Sequence, residues 1–187
     1  MKRLDAPRSA ILLVDVQEKL VAAMDEARAA RCLRACEQLL VGAEALGIRV
    51  VVTEQYPKGL GSTHASLSIP TDATVIAKTA FDATEAEGVL EALAGCEQIV
   101  VAGMEAHICV FQTVRALAAR NLDVHVAADA VCSRDPDHMR LAEHLYRDCG
   151  ARVSCAETVL FDWLRVAGGD AFKTISRAIR QTAFILN

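Results

Sequence analysis

Short runs in which nearly every position is apolar recur along the chain, at residues 11–16, 48–53, 73–78, 98–103, 123–128 and 151–155. Most are rich in Val and Ile, and they lack the in–out alternation of a half-exposed strand. Such runs read as parallel strands covered on both faces by helices. Between them the pattern changes period. Residues 20–46 carry apolar positions at three- and four-residue spacing and stop at Gly47, a plausible C-terminal cap. Residues 84–93 stop similarly before Gly95. Residues 106–119 are amphipathic, with Arg115 and Arg120 toward their end. Asp135-Pro136 supplies an N-cap and a first-turn proline for a helix over 137–149, and 157–186 reads as two helices parted near Gly168-Gly169. The alternation predicts one domain over residues 1–187 of the α/β class. It has three layers: a six-stranded parallel sheet with right-handed crossovers and helices on both faces.

One connection departs from this rhythm. Residues 54–70, EQYPKGLGSTHASLSIP, contain two prolines and two glycines and little helical periodicity. Long connections in compact domains usually bind something or move, and this one follows a strand end, where α/β enzymes place binding groups. The plainer reading is a surface loop without a role.

Composition narrows the function classes. The chain is 53% hydrophobic but only 4% aromatic, so the core is built from Ala, Val, Leu and Ile. Net charge is −4 with no basic block, which argues against a nucleic-acid partner. The most apolar stretch, residues 39–52, is interrupted by Glu44 and Arg49, so no membrane span is expected. The opening MKRLDAPRSA runs into the first strand without the apolar stretch of a signal peptide, and a cytoplasmic location is the expectation. Seven cysteines, an odd number with no Cys-x-x-Cys pair, read as reduced thiols; no cofactor and no metal are expected. Cys32 and Cys36 share a helix face as core or interface residues, Phe161, Trp163 and Leu164 form an apolar cluster, and His125 reads as a satisfied strand residue.

Three residues fit their surroundings poorly. Asp15 ends the apolar run ILLVD, where a carboxylate needs a partner or a task; a helix cap or structural ion pair is the alternative. Lys78 ends TVIAK in the same way, and its ammonium must reach water or a carboxylate. Cys109 lies just beyond the fourth run, at the turn into the next helix, where backbone N–H groups favour a thiolate and bind an oxyanion. Its alternative is a small buried hydrophobe. In a doubly wound sheet of order 3-2-1-4-5-6, taken here as an assumption, the ends of strands 1, 3 and 4 approach one crevice. An acid, a cation and a thiol would then meet there, the layout of an activated nucleophile.

LLVDVQEKL around Asp15, AKTAFDA around Lys78 and VAGMEAHICV around Cys109, in that order, resemble the isochorismatase-like cysteine hydrolases. Similarity continues through VHVAADAVCSRDPDHM to DAFKTISRAI, over nearly the whole chain, and is nearest to the isochorismatase domain-containing proteins. The resemblance implies a homo-oligomer acting on a small-molecule substrate, with Asp15, Lys78 and Cys109 as catalytic triad. Asp15 would take the thiol proton, Cys109 would attack a carbonyl carbon, and Lys78 would support the charge on Asp15. A cis peptide at Met104–Glu105 would aim the amides of Glu105 and Cys109 at the oxyanion. Gln17, Gln55, Tyr56, Phe81 and His107 are the candidate pocket residues; for Gln17 and Phe81 a purely structural role is equally open.

The sequence also departs from relatives in this superfamily. Nicotinamidases carry an Asp-x-His metal motif after the second strand, whereas TEQYPKGLGSTHASL offers only Glu54 and His64, too few for a site. Nicotinamidase activity is therefore unsupported, and nothing specifies isochorismate. The reading is a cysteine hydrolase cleaving a small amide, C–N or ester bond through a thioester. The alternatives are a binding or assembly protein that keeps the fold, and a thiol redox sensor.

Overall fold

The apolar runs become β1 (Ser9–Val14), β2 (Arg49–Gln55), β3 (Thr74–Lys78), β4 (Gln98–Met104), β5 (Asp123–Cys132) and β6 (Arg152–Ser154) in a computed structural model that describes residues 3–183. They form one sheet, parallel at every pairing, in the order β3-β2-β1-β4-β5-β6. Every residue of central β1 and β4 is buried, which is why these runs lack alternation. β3 is an edge strand and is largely exposed until it ends at buried Lys78.

The helices divide between the two faces. α1 (Glu18–Ala22), α2 (Glu26–Leu46), α7 (Ala156–Leu164) and α8 (Gly169–Ala183) cover one face, over Ile11, Leu13, Val50, Val52 and Val100. α4 (Val89–Ala92), α5 (Phe111–Ala119) and α6 (Pro136–Asp148) cover the other, over Leu12, Val14, Val51, Ile99 and Val101. Each fully buried aliphatic side chain of these layers contributes roughly 1.5–3 kcal/mol. α3 (Pro57–Leu60) is a single turn inside the long connection. No helix among the described residues is long and apolar enough to cross a membrane.

Several boundaries differ from the pattern reading. The helix expected over 20–46 is two, because the Asp25 side chain accepts from the Arg28 N–H at 3.0 Å and starts α2 afresh. The helix expected over 84–93 shrinks to a 3₁₀ turn, Ala83–Glu85, and the short α4, with Gly88 at φ 90° between them. Residues 106–119 begin as a π-helical turn, Ala106–Val110, before α5. β5 runs four residues past its apolar stretch, with a register shift opposite Val101–Gly103. Asp135 does cap α6, accepting from the Asp137 N–H at 2.8 Å. The last helix is described to Ala183; its expected continuation to residue 186, like residues 1 and 2, lies outside the described residues.

Cys32 and Cys36 are buried in the core. Trp163 is buried and donates to Ser9 Oγ at 3.0 Å, whereas Phe161 faces outward, so the two do not form one cluster. His125 is not satisfied: its Nε2 is buried without a hydrogen bond, 3.5 Å from Asp123 Oδ1. Residues 54–70 are less structureless than expected. β2 continues to Gln55, α3 follows, and Thr63 bridges back to Gln17.

Candidate active site

The chain leaves β1 at Asp15 with φ 54°, a left-handed conformation that Asp adopts more readily than most residues. Its N–H still donates to Thr53 O at 3.0 Å, so the turn starts inside the sheet. The carboxylate, closed to solvent, accepts from Thr53 Oγ1 at 2.7 Å through Oδ1 and from Lys78 Nζ at 2.6 Å through Oδ2. Burying such a pair is costly unless the remaining protons and lone pairs are satisfied. Lys78 meets that condition: its ammonium also faces Gln55 Oε1 at 2.6 Å and the carbonyls of Ala80 and Phe81 at 3.1 and 3.3 Å.

Cys109 arrives from the other side of β1. β4 ends at Met104, the Met104–Glu105 peptide is cis, and the π-helical turn carries Cys109 toward Asp15. The thiol is buried, with the Asp15 carboxylate and the main chain of Glu105 acting on it. Burial pushes the thiol up to about 12, the Asp15 charge adds to this, and Lys78 opposes it. In the free protein Cys109 is therefore a neutral thiol beside a carboxylate. Asp15, Lys78 and Cys109, distant in sequence, meet at the ends of β1, β3 and β4.

The β5–α6 connection clasps the cysteine turn. Glu105 is almost wholly buried and its carboxylate accepts from Arg134 N at 3.1 Å and from Arg134 Nε at 3.1 and 3.2 Å. Its carbonyl accepts from the N–H groups of Ile108 and Val110 at 3.0 and 3.3 Å. His107 Nδ1 pairs with Ser133 Oγ at 2.9 Å, and its ring lies 4.6 Å from that of His138. Burial lowers the basicity of His107; Glu105 opposes this, while His138 and Arg134 add to it. Tyr146 OH donates to Ala106 O at 2.6 Å.

The remaining candidates separate. Gln17 is fully buried, with its amide on main-chain atoms of Gln55 and Gly61, so it closes the loop and does not face a ligand. Gln55 faces Lys78. Phe81 turns its side chain outward and offers its carbonyl to Lys78. Tyr56 is exposed at φ 38°, and its ring lies over Gly59, where a Cβ would fall 2.4 Å from it. Glu54 accepts from Thr63 N and Oγ1 at 2.6 and 2.8 Å and thereby folds the loop, while His64 lies beside Glu18 and Ser66. Among the described residues no group of three or more His, Cys, Asp or Glu could hold a metal. Pattern reading passed over Thr53 and Arg134. Thr53 looked like an ordinary strand residue, and the one available signal was its place at the end of a buried run. Arg134 had only its position before the Asp135-Pro136 cap.

Residues 9–158 match the model of the Isochorismatase domain. Isochorismatase domain-containing protein 1 of Danio rerio is 39% identical over 150 residues, 79% of this chain but 53% of that protein, so the chain spans about half of it. Isochorismatase domain-containing protein 2 of the same fish is 33% identical over 184 residues, 95% of this chain and 89% of that one. A solved structure from Caenorhabditis elegans, described as MAR1 ribonuclease, superposes with a TM-score of 0.90 at 29% identity, over 96% of this chain and 93% of that chain.

Proposed function

The chain belongs to the isochorismatase family, and from that premise we propose that it is a cysteine hydrolase of small amides, C–N bonds or esters. The observation that carries the reading is the position of Asp15, which holds the Lys78 ammonium at 2.6 Å and whose charge acts on the buried Cys109 thiol. In the first half-reaction the Cys109 proton passes to Asp15 as the sulfur bonds to the carbonyl carbon. The resulting oxyanion is received by the main-chain N–H groups of Glu105 and Cys109, donors worth roughly 3 kcal/mol each in such sites. Collapse of this intermediate breaks the bond to the leaving group, which takes the proton from Asp15 and departs, leaving a thioester. In the second half Asp15 removes a proton from water, hydroxide adds to the thioester, and the sulfur leaves and is reprotonated by Asp15. Lys78 stays an ammonium throughout and offsets the charge that moves on and off Asp15. Each step uses groups of this chain.

A ribonuclease, as the nematode protein is described, would hold a polyanion by a run of cations. Here the net charge is −4 and the cation at the site is surrounded by the protein's own oxygens, which favours a small neutral acyl substrate. A redox switch is disfavoured because, of the two cysteines that only the fold could bring near, Cys132 packs on the opposite face of the sheet from Cys109 and Cys155 follows the edge strand β6. Assembly into a homo-oligomer belongs to the same reading; exposed Leu141 and Leu145, one turn apart on α6, support it.

The test is covalent. Incubation with a panel of activated small esters and amides, followed by mass spectrometry, is expected to show an acyl group on Cys109, longer-lived in Asp15→Asn. Turnover that survives Cys109→Ala would overturn the proposal.

A further inference from the structure

Four oxygens surround the three protons of the Lys78 ammonium, and Gln55 Oε1 is as close as Asp15 Oδ2, both at 2.6 Å. Gln55 closes β2, the strand that separates β3 from β1. Its orientation is determined from two directions. Nε2 donates to Thr79 O at 2.7 Å, which settles which end of the amide faces the lysine. The main chain of Gln55 is gripped by the Gln17 side chain, N–H to Oε1 at 2.7 Å and C=O to Nε2 at 3.1 Å. Gln17 Nε2 also holds Gly61 O at 2.6 Å, which ties this arrangement to the loop carrying Tyr56.

An amide oxygen suits this place for an electrostatic reason. It binds the ammonium without carrying a charge of its own. A carboxylate there would divide Lys78 between two anions, and an apolar side chain would take away one of its two nearest partners and leave the more distant carbonyls in its place. We propose that Gln55 is a positioning residue that acts through Lys78, holding the ammonium where it offsets the charge on Asp15 and, through it, sets the reactivity of Cys109. The inference rests on the triad reading above. It gives residues 54–61 a task in the chemistry beyond any contact with substrate.

The groups whose charge or dipole acts on the Cys109 sulfur are Asp15 from the end of β1, Lys78 from β3 and the main chain of Glu105; Gln55 acts on it through Lys78. Alkylation of the native protein by iodoacetamide, mapped to Cys109 by mass spectrometry over about pH 6 to 10, reads this coupling without a known substrate. Gln55→Met is expected to move the Cys109 profile to higher pH, slowing the reaction about threefold or more at a given pH, and to lose that effect in a Lys78→Met background. Gln55→Glu, nearly isosteric, guards against a Met variant that does not fold and is expected to shift the profile the same way. Profiles unchanged or lowered in both variants overturn the inference while leaving the triad intact, provided Lys78→Met alone shifts the profile. A Gln55→Met effect undiminished by Lys78→Met also overturns it. If Lys78→Met itself changes nothing, the triad reading fails, and this inference with it.

Discussion

Gly103 passes so close to Val14 that a Cβ at residue 103 would lie 1.9 Å from the Val14 carbonyl oxygen and 2.7 Å from its carbonyl carbon. Residue 103 also has φ 131°, which side-chain-bearing residues rarely adopt. The contact lies one residue before Asp15 and three before the turn that carries Cys109, so the two central strands are drawn together where their tips carry the site. Gly103→Ala is therefore expected to cost about 2–4 kcal/mol, read as a lowered urea midpoint. A midpoint within error of wild type would mean that β1 and β4 have room to part.

Asp15 and Lys78 act on the thiol with opposite signs. Asp15→Asn should lower the pH at which Cys109 is alkylated, and Lys78→Met should raise it. Shifts in the same direction would show that the two groups do not act on the thiol as opposed charges.

The raised thiol also sets a sign for stability. Its folded value, about 12, lies above its ordinary value near 9, so the folded state retains a proton that the unfolded chain releases. That contribution is complete below about pH 9 and is lost as pH rises toward 12. Cys132 and Tyr146 are shifted upward too, so the useful quantity is a difference. The stability of wild type relative to Cys109→Ser should decline between these pH values and be flat below them. A flat difference throughout would place the thiol in contact with water.

Glu105 is buried and Arg134 is exposed, and their pairing fixes the residue whose main chain acts on the cysteine. Arg134→Ala would leave that carboxylate with the main-chain N–H of residue 134 but without its counter-charge, at a cost of about 1–3 kcal/mol. Glu105→Gln in the same chain should recover part of the loss. Additive effects in a double-mutant cycle of urea midpoints would show that the two side chains are not coupled.

Gln17 joins Gln55 to Gly61. Gln17→Leu should leave the sheet intact but loosen the segment around α3, with faster amide hydrogen exchange at residues 56–61. Unchanged protection there would mean that Glu54 and Thr63 hold the loop on their own.

The sheet was legible because central strands buried on both faces cannot hide their composition: ILLV and IVVAG admit little else. Asp15 was legible for the same reason, as a charge at the end of such a run; Lys78 was legible as a charge ending the apolar run TVIAK, although β3 is an edge strand and largely exposed. Thr53 was not, since a threonine in a strand meets the ordinary β preference and only its hydroxyl contact with Asp15 marks it. Arg134 escaped because its partner lies 29 residues away, across a strand pairing that no local pattern encodes. The split of residues 20–46 was invisible since the apolar period continues in phase across the break, and only the Asp25 cap interrupts it. For Gln17 a pocket role and a structural one stay equally open in the sequence, because proximity to Asp15 along the chain says nothing about which way a side chain turns.

The order of the strands also sets an arithmetic of reach. Because β2 stands between β3 and β1, the cation on β3 must cross two strand spacings, roughly 9.5 Å, to touch the carboxylate on β1. Only a long, thin side chain lying over the tip of the middle strand closes that span. An imidazole in place of Lys78 would stop short, so the sheet's own geometry selects the length of the cation as well as its charge.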